Sequence, residues 1–364
     1  MKTGRRGSVY FGNGFDLGGC ARIAGAKALC FVRRGLTVNG KPPLASLAAA
    51  LVFIAGQAFA APYVTHQVKL PGYSRSVTYN TSSSVIAASA ALKGVAFISV
   101  KGDKPSLIAQ YPEWTSLFAL PLKDGAFLLA DRFGMLRLIA PSGGGYREIQ
   151  KWQTEGIPTN LALADGRLYV AAGAAGFLAY DWNGGEKTPE LRGRFPFVDY
   201  SKEIALGDRH EVYLADNLET GLQILDLKDI ERPRLLSREH AGFVDSVSRY
   251  GKIVAISSRR EGAMLYDSSD SAALRRMGIL EPLTRSDHKA PDLRSVVFAP
   301  NGDLLVCEGL PGARVLSVKP EGNGVTMKEL LKYDATGVGD GLFLPDKVLV
   351  LSTEDGRLIF LDRE

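Results

Sequence analysis

Cysteine is scarce in this chain of 364 residues: there are three, Cys20 and Cys30 before residue 60 and Cys307 beyond it. A disulfide framework is thereby excluded for the region after residue 60, because a single thiol has no intrachain partner. Cys307 ends the apolar run Leu304-Leu305-Val306-Cys307 and reads as a buried strand thiol rather than a nucleophile. Histidine is equally sparse, and His66, His210, His240 and His288 share no H-x-x-x-H or H-x-H spacing that would spell a zinc site. There is no C-x-x-C-H for covalent haem and no G-x-S-x-G elbow. Asp267-Ser268-Ser269-Asp270 lacks the alternating oxygens of a calcium loop and reads as a turn. No cofactor, no metal and no catalytic residue can be named from these patterns.

Long apolar runs are lacking too, with one exception at residues 44–61, LASLAAALVFIAGQAFAA. It follows the basic residues Arg33, Arg34 and Lys41 and ends in Ala58-Phe59-Ala60. A charged segment, a short apolar core and an A-x-A site are the parts of a secretory signal peptide, since the peptidase needs small side chains at those positions. The expectation is cleavage after Ala60, export to the periplasm or medium, and no membrane insertion of the mature chain. An uncleaved anchor is the competing reading, because the run is just long enough to span a bilayer. Gly35-Leu36 is a poor continuation of a twin-arginine signal, which favours the general export route. Residues 1–31 form an odd leader, rich in Gly and Arg, with no Met between Met1 and Met135. Translation is therefore expected to begin near Val32, Leu36 or Val38, so residues 1–60 read as leader plus signal peptide.

Charge of one sign disappears with that leader. The whole chain carries 44 Lys and Arg against 39 Asp and Glu, and eight of those bases but one of those acids lie in residues 1–60. Subtracting them leaves 36 basic and 38 acidic residues, a net charge of about −2. The pI near 9.0 belongs to the leader, and nothing in the remainder points to nucleic acid.

What is present is repetition. Seven copies of an apolar segment, a turn and a second apolar segment follow one another: SVTYNTSSSVIAAS, SLFALPLKDGAFLLAD, NLALADGRLYVAA, EIALGDRHEVYLAD, SVSRYGKIVAISS, SVVFAPNGDLLVCE and GLFLPDKVLVLST. Asp124-Gly125, Asp165-Gly166 and Asn301-Gly302 offer the positive φ angles that tight hairpins need. A third strand follows in each copy, ending at Ser99, Ala140, Asp181, Asp226, Asp267, Val318 and Asp362, in steps of 41, 41, 45, 41, 51 and 44 residues. That period, with several short strands per unit, is the spacing of propeller blades. Six copies continue into a fourth strand, whereas the seventh stops after Asp362. An unpaired edge there would leave a row of open backbone groups. Residues 64–70, VTHQVKL, are the expected missing strand, supplied by the mature N-terminus. The fold class is therefore all-β, a seven-bladed β-propeller of four antiparallel strands per blade, in a single domain over residues 61–364. Six or eight blades, or two domains, would require discarding one of seven comparable repeats.

Blade four carries a further likeness. Tyr213-Leu214-Ala215-Asp216, Gly221-Leu222-Gln223-Ile224-Leu225-Asp226 and the approach from Asp229 to Pro233 resemble the LVIVD repeat, with partial matches in blades three and five. The resemblance implies an exported β-propeller and no particular reaction. A WD-repeat pattern is weaker, since no Trp-Asp closes a third strand and no Gly-His opens a blade.

Each innermost strand begins with a triplet whose third residue is apolar: Arg75-Ser76-Val77, Thr115-Ser116-Leu117, Thr159-Asn160-Leu161, Lys202-Glu203-Ile204, Asp245-Ser246-Val247, Arg294-Ser295-Val296 and Asp340-Gly341-Leu342. The first two positions, polar or small throughout, are expected at one mouth of the central channel. Arg75, Lys202 and Arg294 would there face Glu203, Asp245 and Asp340 as a hydrated ion-pair network, with Asn160 beside them. Convergent polar groups in a concavity also mark Arg75, Asn160, Lys202, Glu203, Asp245, Arg294 and Asp340 as a candidate ligand site. Asn160, Glu203, Asp245 and Asp340 offer oxygens of the kind calcium takes, against the competition of three cations. The expected function is a binding or scaffold module for a protein or surface-polymer partner. The alternative is a hydrolase, lactonase or lyase using the mouth carboxylates, with or without calcium.

Overall fold

In the computed structural model, which describes residues 64–362 except 219, 260, 284–291, 336 and 347, the strands assemble into seven four-stranded antiparallel sheets. The residues in helical geometry among those described are one 3-10 turn, Lys123–Gly125. Blade four shows the plan. Ser201–Leu206 is innermost, followed outward by Glu211–Asp216, Gly221–Asp226 and Arg234–Glu239. In blade seven the order inside out is Val338–Phe343, Leu349–Thr353, Arg357–Leu361 and then Val64–Lys69, which pairs antiparallel with Arg357–Leu361.

The apolar core lies between blades rather than inside one. Seven clusters of buried side chains are present, and each draws on two neighbouring sheets; Val68, Leu358 and Phe360 of blade seven meet Val77, Ile86 and Ile98 of blade one in one of them. A sheet buried on both faces has no solvent side on which to place polar residues. This is why second and third strands such as Val85–Ser89 and Val95–Ser99 read as unbroken apolar runs, while outer strands such as Gly324–Tyr333 alternate towards solvent.

Two local devices recur in register. One glycine per blade precedes or opens the third strand with positive φ: Gly94, Gly134, Gly176, Gly221, Gly262, Gly312 and Gly356, for example +83° at Gly221. A Cβ at Gly221 would stand 2.3 Å from the Glu239 carbonyl oxygen, so both the dihedral and the close approach of the outer strand demand glycine. The second device is a bulge in every pairing of third and fourth strands, as between Phe97 and Ile98, Ile224 and Leu225, and Val315 and Leu316. In blade seven the shift falls between Val64 and His66, opposite Leu361 and Phe360, the rung that corresponds to those of the other six.

The hairpin turns follow their sequences at two of three places. Asp124 and Gly125 have φ of 56° and 75°, and Asp165 and Gly166 have 50° and 71°. At Asn301-Gly302 the glycine alone has positive φ (87°), and Asn301 instead accepts the backbone N–H of Asp303 through its side chain. Cys307 is fully buried. Trp152 and Trp182 meet edge to face across blades two and three at 5.7 Å, and Trp114 stacks on Tyr111. His66, His210 and His240 join no cluster of metal-ligating residues among those described, and His288 lies outside the described residues. The expected signal peptide and leader, residues 1–60, also lie outside them, and among the described residues no helix is long and apolar enough to cross a membrane.

Deleting residues 64–69 should expose the edge of Arg357–Leu361 and remove Val68 from its inter-blade cluster. The expected result in differential scanning calorimetry is a fall in Tm of roughly 10 °C or more; an unchanged Tm would show that this strand carries no part of the domain's stability.

Candidate functional site

The innermost strands converge on a cavity of about 660 Å³. Its walls include all seven residues singled out from the sequence: Arg75, Asn160, Lys202, Glu203, Asp245, Arg294 and Asp340. The links between blades and the turns between second and third strands surround the opening, with Tyr73, Ile157 and Tyr200 from the former and Leu92, Lys93 and Arg132 from the latter.

The strand registers correct the triplet alignment in two blades. Ser76, Asn160 and Ser295 stand opposite Ser89, Ala171 and Cys307, and the equivalent rung in blade two is Phe118 opposite Ala130. Leu117 and Phe118, not Thr115 and Ser116, therefore occupy the two mouth positions, and they make the wall apolar there. In blade seven the rung belongs to Asp340 opposite Ser352, so Asp340 takes the second position and Gly339 the first. The inner strands of blades four, five and seven each carry an extra residue, Lys202 between Ser201 and Glu203, Asp245 between Val244 and Ser246, and Gly339 between Val338 and Asp340. A bulge redirects the side chain of its extra residue; Lys202 and Asp245 are both turned to the cavity in this way.

Second-position side chains tie neighbouring inner strands together. Asp340 accepts the Val77 N–H at 2.9 Å and the Ser295 hydroxyl at 2.8 Å, which links blade seven to blades one and six. Ser246 accepts the Val296 N–H at 3.2 Å, and Asn160 accepts the Ile204 N–H at 3.4 Å. These polar groups supply the hydrogen bonds that inner strands of different sheets cannot make by pairing.

Among the described residues no direct ion pair within 4.0 Å joins two of the six mouth charges. Asp245 pairs with Arg259 and accepts from the Asn217 amide, neither of which was singled out in the sequence. Arg294 donates to Asp292, pairs with Glu354 at 2.6 Å and donates to the Tyr73 hydroxyl at 3.0 Å. Among the described residues no hydrogen bond or ion pair within 4.0 Å joins the Lys202 ammonium or the Arg75 guanidinium to a protein carboxylate. Burial lowers the affinity of Lys202 for its proton; Asp245 opposes this, and Arg75 and Arg259 add to it. Glu203 is pushed up to about 8, first by burial and then by the charge of Asp340, against the Ser246 hydroxyl and Lys202. Burial pushes Asp340 up to about 6 in spite of the N–H of Val77, the hydroxyl of Ser295 and the N–H of Gly341. The cavity wall thus holds two carboxyl groups of raised proton affinity, Glu203 and Asp340, beside Lys202 and Arg75, which form no ion pair within 4.0 Å among the described residues. The oxygens proposed for calcium are mostly committed: those of Asp245 to Arg259 and Asn217, those of Asp340 to Val77 and Ser295, and that of Asn160 to Ile204. This donor set is a poor fit for a cation.

The motif aspartates of blade four turn out to be structural. Asp216 is fully buried and accepts the N–H groups of Asp199 and Tyr200, which fixes the link from blade three. Asp226 accepts the N–H of Lys228 and pairs with Arg234 at the opposite face.

No protein-family model and no curated protein matches the chain, so the LVIVD likeness rests on the residues of blades three to five alone. Solved structures do match. A chain in a crystal structure of the mitotic checkpoint complex aligns with a TM-score of 0.67 at 13% identity, covering 93% of this chain and 98% of that one. The WD40 β-propeller domain of Doa1 aligns at 0.63 with 13% identity over 84% and 98%, and Sqt1 of Saccharomyces cerevisiae at 0.60 with 10% identity over 83% and 99%. The chain is a β-propeller of WD40-like architecture. At such identities the likeness concerns the fold.

Because Glu203 and Asp340 bind their protons more tightly folded than unfolded, their stabilisation is full below about pH 4 and is lost as pH rises towards 8. Replacing Glu203 by Gln removes the larger part of that loss. The Tm advantage of Glu203→Gln over the parent should therefore widen from near zero at pH 4.5 to about 5 °C at pH 8.5 in calorimetric scans. A difference independent of pH would refute the assignment.

Proposed function

We propose that this chain is a binding module that engages a protein or surface-polymer partner across the face holding the cavity mouth. The observation that carries the reading is the asymmetry of that face. Over blades one to four its loops expose five large apolar side chains, Leu92, Phe133, Ile157, Phe197 and Leu218, with Phe133 at 65% and Phe197 at 71% of full exposure. Scattered single apolar residues need no explanation, but five on one set of adjoining loops beside a polar cavity have the composition of an interface, an apolar patch with a polar centre. Propellers such as those of the WD40 class serve as rigid interaction platforms, which agrees with this reading. We further place the mature chain outside the cytoplasm, on the strength of the basic segment, apolar core and Ala58-Phe59-Ala60 site. Its mature N-terminus then leads directly into the outer strand of blade seven.

A catalytic reading has one observation in its favour, the separation of Glu203 and Asp340 to about 8 and about 6, the kind of split that divides acid from base. It would show itself as hydrolase or lyase turnover lost in Glu203→Gln.

For the binding reading, the full chain and its variants can be used to capture cross-linked partners from envelope extracts. Phe133→Ser/Phe197→Ser should reduce capture of a specific partner at least roughly five-fold, whereas Tyr250→Ser, on a hairpin turn at the opposite end of the strands, should not. Equal capture by all three proteins would remove the mouth face from consideration.

A further inference from the structure

Within that binding reading, on which this inference rests, the charges of the mouth point to one chemistry. The walls carry five cations, Arg75, Lys93, Arg132, Lys202 and Arg294, and three acids, Glu203, Asp245 and Asp340. Two of the acids are occupied. Asp245 is taken by Arg259 and Asn217, and both oxygens of Asp340 accept hydrogen bonds from the fold. Among the described residues Arg294 is the one wall cation in an ion pair with an acid within 4.0 Å outside the cavity wall, through Asp292 and Glu354. Lys202, half-buried, and Arg75, exposed like Lys93 and Arg132, line the cavity, and among the described residues neither Lys202 nor Arg75 has an ion pair to an acid within 4.0 Å; Asp245 and Glu203 act on Lys202 only from farther off. Burying an ammonium without a counter-ion is costly. Here the cost is built in by a strand bulge that holds Lys202 towards the cavity.

We propose that the cavity holds a subsite for a carboxylate, bound by Lys202 and Arg75, and that its occupant is an acidic residue flanked by apolar residues in an extended segment of a protein partner. An Asp or Glu carboxylate complements the excess of cations on the wall, and a guanidinium and an ammonium together can hold both of its oxygens. The apolar neighbours are assigned by the wall and rim: Leu117 and Phe118 inside blade two, then Leu92, Ile157 and Phe133 around them, all on the side next to Arg75 and within blades one to three. The opposite rim, in blades five to seven, is made of paired ions, Arg259 with Asp245, Arg294 with Glu354 and Arg357 with Asp355, which offer an apolar side chain nothing. A cavity of about 660 Å³ admits one or two side chains rather than a folded domain, so the segment enters by a residue and lies across the arc. A polyanionic polysaccharide could satisfy the cations but would leave the apolar arc uncovered, and the arc therefore favours a polypeptide.

The test is selection of random 12-residue peptides displayed on phage against the immobilised full chain, followed by affinity measurement of the enriched peptides by fluorescence polarisation. The expected pool is rich in Asp or Glu between apolar residues. Changing the acid to Asn or Gln in such a peptide, or changing the protein to Arg75→Gln/Lys202→Gln, should each weaken binding at least about ten-fold, and Arg75→Lys/Lys202→Arg should restore most of it. Far-UV circular dichroism and Tm verify that the variants fold. A pool rich in Lys or Arg, or neutral and sensitive only to Phe133→Ser/Phe197→Ser, would overturn the carboxylate subsite while leaving the binding face in place. Binding of polygalacturonate that depends on Arg75 and Lys202, with no acidic peptide enriched, would overturn the polypeptide occupant. No enrichment, or enrichment indifferent to every one of these variants, would overturn both the subsite and the face.

Discussion

Everything in this molecule depends on the burial of polar groups where seven sheets meet at one axis. Each blade is buried on both faces by its neighbours, and its apolar second and third strands meet that constraint without difficulty. The innermost strands cannot, because adjacent ones belong to different sheets and have no ladder to share. Asp340, Ser246 and Asn160 accept the N–H groups of the next blade's strand and so stitch the centre together. The same crowding raises the proton affinity of Glu203 and Asp340 and lowers that of Lys202.

The bulges give this centre its asymmetry. Where a blade has none, the strand presents a regular pair of residues; where it has one, the extra residue turns to the cavity. Blade five uses its bulge for Asp245, which Arg259 and Asn217 satisfy, and blade seven spends it on Gly339, packed under Tyr73. Blade four uses it for Lys202, which has no ion pair within 4.0 Å among the described residues. An unpaired cation maintained by local geometry differs from a structural ion pair in one respect: its favourable partner has to come from outside the fold. The apolar arc over blades one to four lies beside that vacancy of charge, and together they make a recognition surface.

How much of this could be read from the sequence follows from the range of each signal. The repeat was legible because strand alternation, hairpin glycines and the period of 41 to 51 residues are local and recur seven times. The glycine before each third strand is equally local, and its positive φ explains the Gly of the blade-four motif. The seven mouth residues could be marked because the start of an innermost strand is polar or small in every copy of the repeat, a local pattern, and all seven line the cavity. Their pairing was not legible. Arg259 and Glu354 come from turns between second and third strands, and Asp292 from a link between blades, whose directions no periodicity encodes. Nor was the register of blades two and seven, where the rung falls on Phe118 and Asp340 and nothing in the composition of the strands marks it.

The central claim is that Lys202 is held at the mouth against its own burial cost, for a ligand and not for the fold. Replacing it by methionine keeps the unbranched stem and removes the charge. The melting temperature of Lys202→Met at pH 7 measures the claim most directly. If Lys202 awaits an external partner, the variant should be as stable as the parent or more so, by up to about 5 °C. A fall of several degrees in a variant that folds normally would show that the ammonium is a structural counter-ion and would contradict the account.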